Sequence, residues 1–299
     1  MFTTGPNFGQ YQPEGMQAYA APSLFQPHRA RQAIRDAYDG KIPSMLGYYA
    51  GLSSVAVTRI LAPMGWDCCW IDWEHTSCNV ETMTTMVHEI MFMSQGRTIP
   101  WVRIPGHDHA SISFALDAGA SLVIPQIETV EQARRVVSSA KYGTEQNGTR
   151  SAPPWRLLPG LTDTPYDSAR DIHRCLNDQA AVMIQVESLA GVDNLDAILT
   201  EVPDIDAVWL GSLDARVSMN LVGSVAGDEP EWLEAKARFH EVLRKHRKPY
   251  GGFYLGPADE NMREAAKGQQ LMFISADVLA LMGMYQTLIG ARAIVNGDK

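Results

Sequence analysis

The 299-residue sequence predicts an α/β fold, a single (β/α)8 TIM barrel. Three observations carry that prediction. Short apolar, β-branched or aromatic runs recur eight times and alternate with amphipathic stretches of helical period, the signature of βαβ units and a parallel sheet. No obvious linker divides the chain, and barrels of this kind fold about 250 residues as one unit. The competing doubly wound sheet has two glycine fingerprints, GxGxxG after a first strand and GxxxxGK[ST], and both are absent.

Taken in order, residues 1–28 are rich in Gly, Pro, Gln and Tyr without periodicity and read as an irregular arm; residues 29–299 read as the barrel. A basic helical stretch over 29–38 closes at Asp39-Gly40. The strand runs are 44–49 (SMLGYY), 68–73 (CCWIDW), 99–103 (IPWVR), 121–125 (SLVIP), 181–187 (AVMIQVE), 207–211 (AVWLG), 250–254 (YGGFY) and 271–275 (LMFIS). Between the first two runs, Ser53 is positioned to cap a helix whose apolar face is Val57, Ile60, Leu61 and Met64. Asn79 opens a helix with Val80, Met83, Met86, Val87, Ile90 and Met91 on one face, which reads as core packing rather than a cofactor box. His107-Asp108-His109 resembles a metal triplet, but side chains of adjacent residues in a turn diverge, so Asp108 reads as a helix cap. Thr129 and Gln132 form a capping box before Ala133, Val136 and Val137. Gly268 stands where a C′ glycine belongs, after Met262, Ala265 and Ala266. Residues 141–173, with Pro153-Pro154 and Gly160, read as a long loop over the site carrying a short helix. Its Trp155 and Tyr166 either line a pocket for a flat electrophile or pack the loop.

Composition narrows the partners. Lys+Arg 25 against Asp+Glu 34 leaves a net charge of −9, and the pI is near 5.4. A nucleic-acid binder needs a basic stripe to replace counterions, so that class is excluded. No apolar run approaches the roughly 18–20 residues of a membrane span. The four cysteines show no CxxC spacing, and Cys68 and Cys69 sit in an apolar run as buried thiols. No secretory signal is visible, so a cytoplasmic, reduced protein is expected, and the sequon Asn147-Gly148-Thr149 is coincidental.

The chemistry gathers where strands end, as barrels require. Asp72-Trp73-Glu74-His75 follows the second run, Arg103 ends the third, and Gln126 and Glu128 follow the fourth. Gln185 and Glu187 close the fifth, and Gly211-Ser212-Leu213-Asp214 follows the sixth. Any one alone also has a reading as a helix cap or local ion pair, the lesser of the two; together they converge on one circle. Glu187 continues an apolar run, where an unpaired carboxylate would be costly to bury. A cation resolves that cost. Glu187 and Asp214 offer hard oxygen ligands without an accompanying His/Cys cluster, a set suited to Mg²⁺ or Mn²⁺ rather than zinc.

The segments 71–75 (IDWEH), 102–105 (VRIP), 119–125 (GASLVIP), 127–133 (IETVEQA), 185–187 (QVE) and 211–214 (GSLD) resemble the HpcH/HpaI aldolase family in order and spacing, over about residues 44–295. The Trp-rich second strand and long arm look most like its fungal, macrophomate synthase-like branch. The resemblance implies a barrel with an exchanged C-terminal helix in a homo-oligomer, a hexamer or trimer. It also implies a class II pyruvate aldolase or related lyase. By the same resemblance Glu187 and Asp214 are the metal ligands, and His75, oriented by Asp72, is the acid/base. Glu74 holds metal-bound waters, Arg103 contacts the keto oxygen and Gln185 lines the pyruvate pocket. The amides around Ser212-Leu213-Asp214 receive the substrate carboxylate. The sequence departs from the family pattern at Ser212 (usually Pro), Ala215-Arg216 (usually Leu-Ser), Thr76–Asn79 and Arg150-Ser151. These positions border the electrophile's pocket, so the metal and enolate machinery is retained while the electrophile is not specified.

The expected function is a Mg²⁺-dependent carbon–carbon lyase on 2-keto acids. It would generate a metal-bound pyruvate enolate from oxaloacetate by decarboxylation, from a 4-hydroxy-2-oxo acid by retro-aldol cleavage, or both. One alternative adds capture of the enolate by a 2-pyrone or another electrophile. A citrate-lyase-like relative and a non-catalytic metabolite-binding barrel are further alternatives.

Overall fold

The computed structural model describes residues 15–297; residues 1–14 of the expected arm lie outside that range. Eight parallel strands close into a barrel in chain order: β1 (Met45–Ala50), β2 (Cys68–Asp72), β3 (Ile99–Arg103), β4 (Ser121–Ile124), β5 (Val182–Val186), β6 (Ala207–Leu210), β7 (Tyr250–Phe253) and β8 (Leu271–Ala276). Every predicted run is a strand, displaced by at most a residue or two at an end. Neighbours pair in parallel register throughout, for example Asp72 beside Arg103 and Gln185 beside Trp209.

The period of two along each strand assigns the faces. Cys68, Trp70, Ile99, Trp101, Val123, Met183, Trp209, Leu271 and Phe273 fill the barrel interior. Their in-between neighbours Cys69, Ile71, Val102, Leu122, Ile184 and Val208 pack outward against the helices. The interior is crowded: a Cβ at Gly47 would come within 2.7 Å of the Phe273 ring. The same parity continued to the strand ends turns Asp72, Arg103, Gln185 and Glu187 inward.

The helices follow their sequence signals closely. In α1 (Ala30–Tyr38), Ala30, Ala33 and Ile34 join Met16 and Tyr19 of the arm against the interior cluster. Between β1 and β2, α2 (Val55–Leu61) is capped by Ser54, whose hydroxyl accepts from the Val57 amide, not by Ser53. Ser53 instead donates to Thr76. The apolar face expected for α2 is only partly buried: Leu61 packs against the core, while Ile60 and Met64 are exposed. In α3 (Val80–Met93), capped by Asn79, Met83, Met86, Val87 and Ile90 are core residues, as the spacing predicts. Asp108 caps α4 (His109–Ala118), and Thr129 with Gln132 forms the capping box of α5 (Val130–Ala140).

The long connection from α5 to α6 (Ile172–Gln179) does not cover the site. A helix between two parallel strands runs back to where the strands begin, so a loop leaving α5 starts at the barrel's N-terminal end. There it meets the arm. Leu24 donates its amide to Leu161 carbonyl oxygen, Gln26 donates to the carbonyls of Thr162 and Thr164, and Trp155 packs edge-on to Phe25 at 5.5 Å. The Tyr166 ring lies 5.6 Å from the Arg29 guanidinium. Both aromatic residues therefore pack the loop and arm.

Four further helices complete the ring: α7 (Leu189–Glu201), α8 (Ser212–Ser218), α9 (Pro230–His246) and α10 (Glu260–Ala266). The last, α11 (Asp277–Asn296), stands away from the body. Its Asp277 is buried and accepts from the amides of Gly51 and Leu52, while Leu281, Met282, Met284, Tyr285, Leu288 and Ile289 are exposed. Contrary to the reading of the sequence, this 20-residue helix, with a mean hydropathy of 1.5 over an 18-residue window, is long and apolar enough to cross a membrane by length and composition. It reaches that average despite Gln286, Thr287 and Arg292, so no uninterrupted apolar run announces it.

Candidate active site

A cavity of about 520 Å³ opens at the C-terminal ends of the strands. Arg103, Gln185, Glu187, Ser212, Leu213, Asp214 and His75 line it, so all but Asp72 and Glu74 of the expected site residues share one space. Asp72 and Glu74 stand directly behind Arg103.

Asp72 ends β2 beside Arg103 at the end of β3, and register brings them together. Arg103 Nε donates to Asp72 Oδ1 at 3.0 Å and Nη2 to Oδ2 at 2.7 Å, a bidentate buried pair. Tyr49 adds its hydroxyl to Asp72 Oδ2 at 2.5 Å and accepts from Nη2 of Arg103 at 3.1 Å. Glu74 Oε2 stands 3.2 Å from Nε of Arg103. Burial alone would raise the Asp72 pKa, but the Arg103 N–H groups hold it below its ordinary range. Nη1 of Arg103 has no partner among the described residues, which leaves one edge of the fork for a ligand.

The expected orientation of His75 by Asp72 takes a different form. Asp72 Oδ1 accepts from the backbone amides of Glu74 and His75, at 3.0 and 3.3 Å, and so shapes the turn rather than the imidazole. The ring instead lies with Nε2 3.5 Å from Glu74 Oε2, and its side chain is 68% exposed. Both carboxylate oxygens of Asp72 are occupied by Arg103 and Tyr49, which is why the ring finds its partner in Glu74.

Glu187 is 7% exposed. Its Oε2 accepts the Gln126 amide at 2.9 Å and its Oε1 the Gln185 amide group at 3.0 Å. Burial pushes its pKa up to about 7; the Gln126 amide and Arg103 oppose the rise, and the charges of Asp214 and Glu74 add to it. Two backbone features make this seat. Gln126 takes a left-handed φ of 50°, which aims its N–H at the carboxylate. Gly211 leaves the room, since an added Cβ there would collide with Oε1 and Cγ of Glu187. Gln185 Oε1 is buried without a partner.

Asp214 lies in the first turn of α8, whose N-cap Gly211 supplies no side-chain cap. The amides of Ser212, Leu213 and Asp214 are the first-turn donors that a helix leaves without internal acceptors. Among the departures, Arg216 is buried and turned away, paired with Glu229 at 2.5 and 2.8 Å. Glu128 is also turned away, accepting from Ser188. His107 Nε2 contacts the Pro125 carbonyl at 2.6 Å while Asp108 caps α4, so the apparent triplet is structural.

Among the described residues no group of three or more His, Cys, Asp or Glu side chains is arranged to hold a metal ion. The donor set offered is two carboxylates facing one cavity, with an unpartnered amide oxygen beside them. That suits a hard divalent cation which keeps water and takes its remaining ligands from substrate. Sequence reasoning did not single out Tyr49 or the aromatic residues Trp209 and Phe253, which also line or brace the site. Parity along β1 and β6 was the available signal for Tyr49 and Trp209.

A family model described as HpcH/HpaI aldolase/citrate lyase matches residues 45–279. A hydroxypyruvate/pyruvate aldolase of Chromohalobacter salexigens is 28% identical over 255 residues, covering 84% of this chain and 93% of its own. A 5-keto-4-deoxy-D-glucarate aldolase of an Enterobacter species is 28% identical, covering 73% of this chain and 80% of its own. A crystal structure of macrophomate synthase superposes with a TM-score of 0.83 at 30% identity, covering 96% of each chain. The family model, the aldolase relatives and the shared barrel support an aldolase-type lyase. The chain belongs to the HpcH/HpaI aldolase/citrate lyase family.

Proposed function

We propose that residues 29–299 form one catalytic barrel that breaks or makes the C3–C4 bond of a 2-keto acid, by oxaloacetate decarboxylation, retro-aldol cleavage of a 4-hydroxy-2-oxo acid, or both. One observation carries the reading: an arginine fork held on one edge by Asp72 and Tyr49 shares its cavity with two carboxylates that have no cationic partner of their own. In this reading Glu187 and Asp214 hold Mg²⁺ or Mn²⁺. That ion supplies Lewis-acid polarisation of the keto group and countercharge for the electrons released by bond cleavage. Arg103 donates its free Nη1 edge toward the same oxygen; its rigid fork never deprotonates, and its other edge is pre-paid by Asp72. A preorganised donor of this kind is typically worth about 3–4 kcal/mol in the transition state. The first-turn amides of α8 receive the substrate carboxylate, and Gln185 orients Glu187 while lining the pocket.

His75 serves the aldol direction only. Cleavage of a 4-hydroxy acid requires a base for the 4-hydroxyl proton, and the imidazole beside Glu74 stands at the cavity edge to take it. Loss of CO₂ from oxaloacetate needs no base for the bond that breaks. His75→Ala is therefore expected to harm aldol cleavage more than oxaloacetate decarboxylation; equal losses would remove His75 from this role. The broader reading is checked by CO₂ release from oxaloacetate above the rate with free Mg²⁺ alone, abolished by chelator and by Glu187→Gln. The likeness to macrophomate synthase over nearly the whole chain favours a second reading, in which a cyclic electrophile such as a 2-pyrone captures the enolate.

The apolar surface of α11 has no partner among the described residues. In the proposed assembly each subunit lays this helix on a neighbour, making a homo-oligomer, a trimer or hexamer.

A further inference from the structure

The cavity at the strand ends has two unlike halves. The Arg, Asp, Glu and His side chains that line it, among the described residues, are Arg103, Asp214, Glu187 and His75. All four belong to the keto-acid end. Phe253 and Leu255 at the end of β7, Val278 and Leu279 after β8, and Trp209 of β6 give the lining an apolar stretch. Phe253 packs edge-on to Trp209 at 4.9 Å and to Tyr49 at 5.6 Å, and it lies parallel to Trp70 at 6.3 Å, with an interplanar angle of 8°. Its neighbours thus hold the ring, yet Phe253 is 40% exposed, Leu255 47% and Leu279 38%. Single exposed apolar residues need no explanation, but a contiguous group walling a reaction cavity does.

We propose that the carbonyl compound released or accepted at C4 is uncharged and apolar, an aromatic or alkyl aldehyde, and that Phe253 and Leu255 set this preference. The inference rests on the keto-acid reading of the site. Among the described residues neither Lys nor a second Arg lines the cavity to meet a distal carboxylate, and no array of hydroxyl or amide groups stands beside Phe253 and Leu255 to meet a polyol. A charged or polyhydroxylated acceptor would lose water there without recovering hydrogen bonds. In the cleavage direction the C3–C4 bond breaks and the 4-hydroxyl proton passes to His75. C4 departs as the aldehyde; the electron pair remains on the keto-acid fragment, which takes a proton at C3 to give pyruvate. Addition is the reverse, with no outside oxidant or reductant.

The test separates the two halves. With Mg²⁺ present, exchange of the pyruvate methyl protons in D₂O, followed by ¹H NMR, reports the keto-acid end alone. Aldol addition of pyruvate is then compared for benzaldehyde and hexanal against succinic semialdehyde and glyceraldehyde. The expected result is kcat/KM about 100-fold higher for the apolar pair. Leu255→Lys, at an exposed position, is expected to narrow the gap to succinic semialdehyde by about 10-fold, each enzyme normalised to its own pyruvate exchange. Equal or better turnover of succinic semialdehyde or glyceraldehyde by the unaltered enzyme overturns the proposal, as does exchange without addition to any aldehyde. Absence of exchange overturns the keto-acid reading itself, and the acceptor assignment with it.

Discussion

Glu187 shows how function is set against stability at the scale of one residue. Its pKa is near 7 in the folded chain, above the ordinary carboxylate value of 4.5. Between those values the folded state keeps a proton that the unfolded state has lost, so without metal stability falls as pH rises from 4.5 to 7. Above pH 7 the full penalty, roughly 3 kcal/mol, is present. Glu187→Gln removes it: the new amide still accepts from Gln126, and Gln185 can turn its unpartnered oxygen toward the new NH₂. In chelator at pH 8 the variant is expected to melt a few degrees higher by calorimetry while losing activity; a lower melting temperature would contradict this account. Arg103→Lys keeps the charge but not the fork. A lysine cannot hold Asp72 in two places and still face the substrate, so kcat is expected to drop about 10²–10³-fold in the oxaloacetate assay.

At the scale of elements, the arm and the α5–α6 connection brace each other at the barrel's N-terminal end, far from the chemistry. His28 is their acid-sensitive point. Its Nδ1 accepts from the Ala21 amide at 3.0 Å, Nε2 is buried without a partner, and burial lowers its pKa to about 4. Here the folded state binds fewer protons than the unfolded one between pH 6.5 and 4, so stability is lost as pH falls through that window. The loss approaches roughly 3 kcal/mol at its foot. His28→Asn, whose side-chain oxygen can accept from Ala21, is expected to flatten the melting-temperature profile between pH 6.5 and 4. An unchanged acid slope would place the acid lability elsewhere.

For the whole molecule the decisive feature is α11, an apolar helix that no described residue covers. A helix carrying this much exposed apolar surface is stable in water only when its face is buried against something. Ile289→Asp together with Leu288→Asp is expected to lower the oligomer to monomers in sedimentation velocity, with the barrel still folded by circular dichroism. A variant that keeps its mass would show that these residues do not form the contact. A larger cavity, about 830 Å³ between the arm and α3, lies away from the strand ends that carry the candidate site. Cavity size alone is therefore a poor guide here to where the chemistry is.

The sequence by itself determined the eight strands, the helix caps Asn79, Asp108 and Thr129, and which strand-end residues face inward. These follow from periods of two and 3.6 and from short-range capping, all local properties of the chain. Glu187 was legible because a carboxylate extending an apolar strand has few explanations. Tertiary structure alone decided that Asp72 grips Arg103 instead of the His75 ring, that Gly211 must stay bare for Glu187 to fit, and that Trp155 and Tyr166 lie at the wrong end of the barrel. It also decided that α2 leaves Ile60 in solvent and that α11 projects outward. Each of these depends on residues distant in sequence competing for the same hydrogen bond, volume or surface, and local periodicity carries no record of that competition.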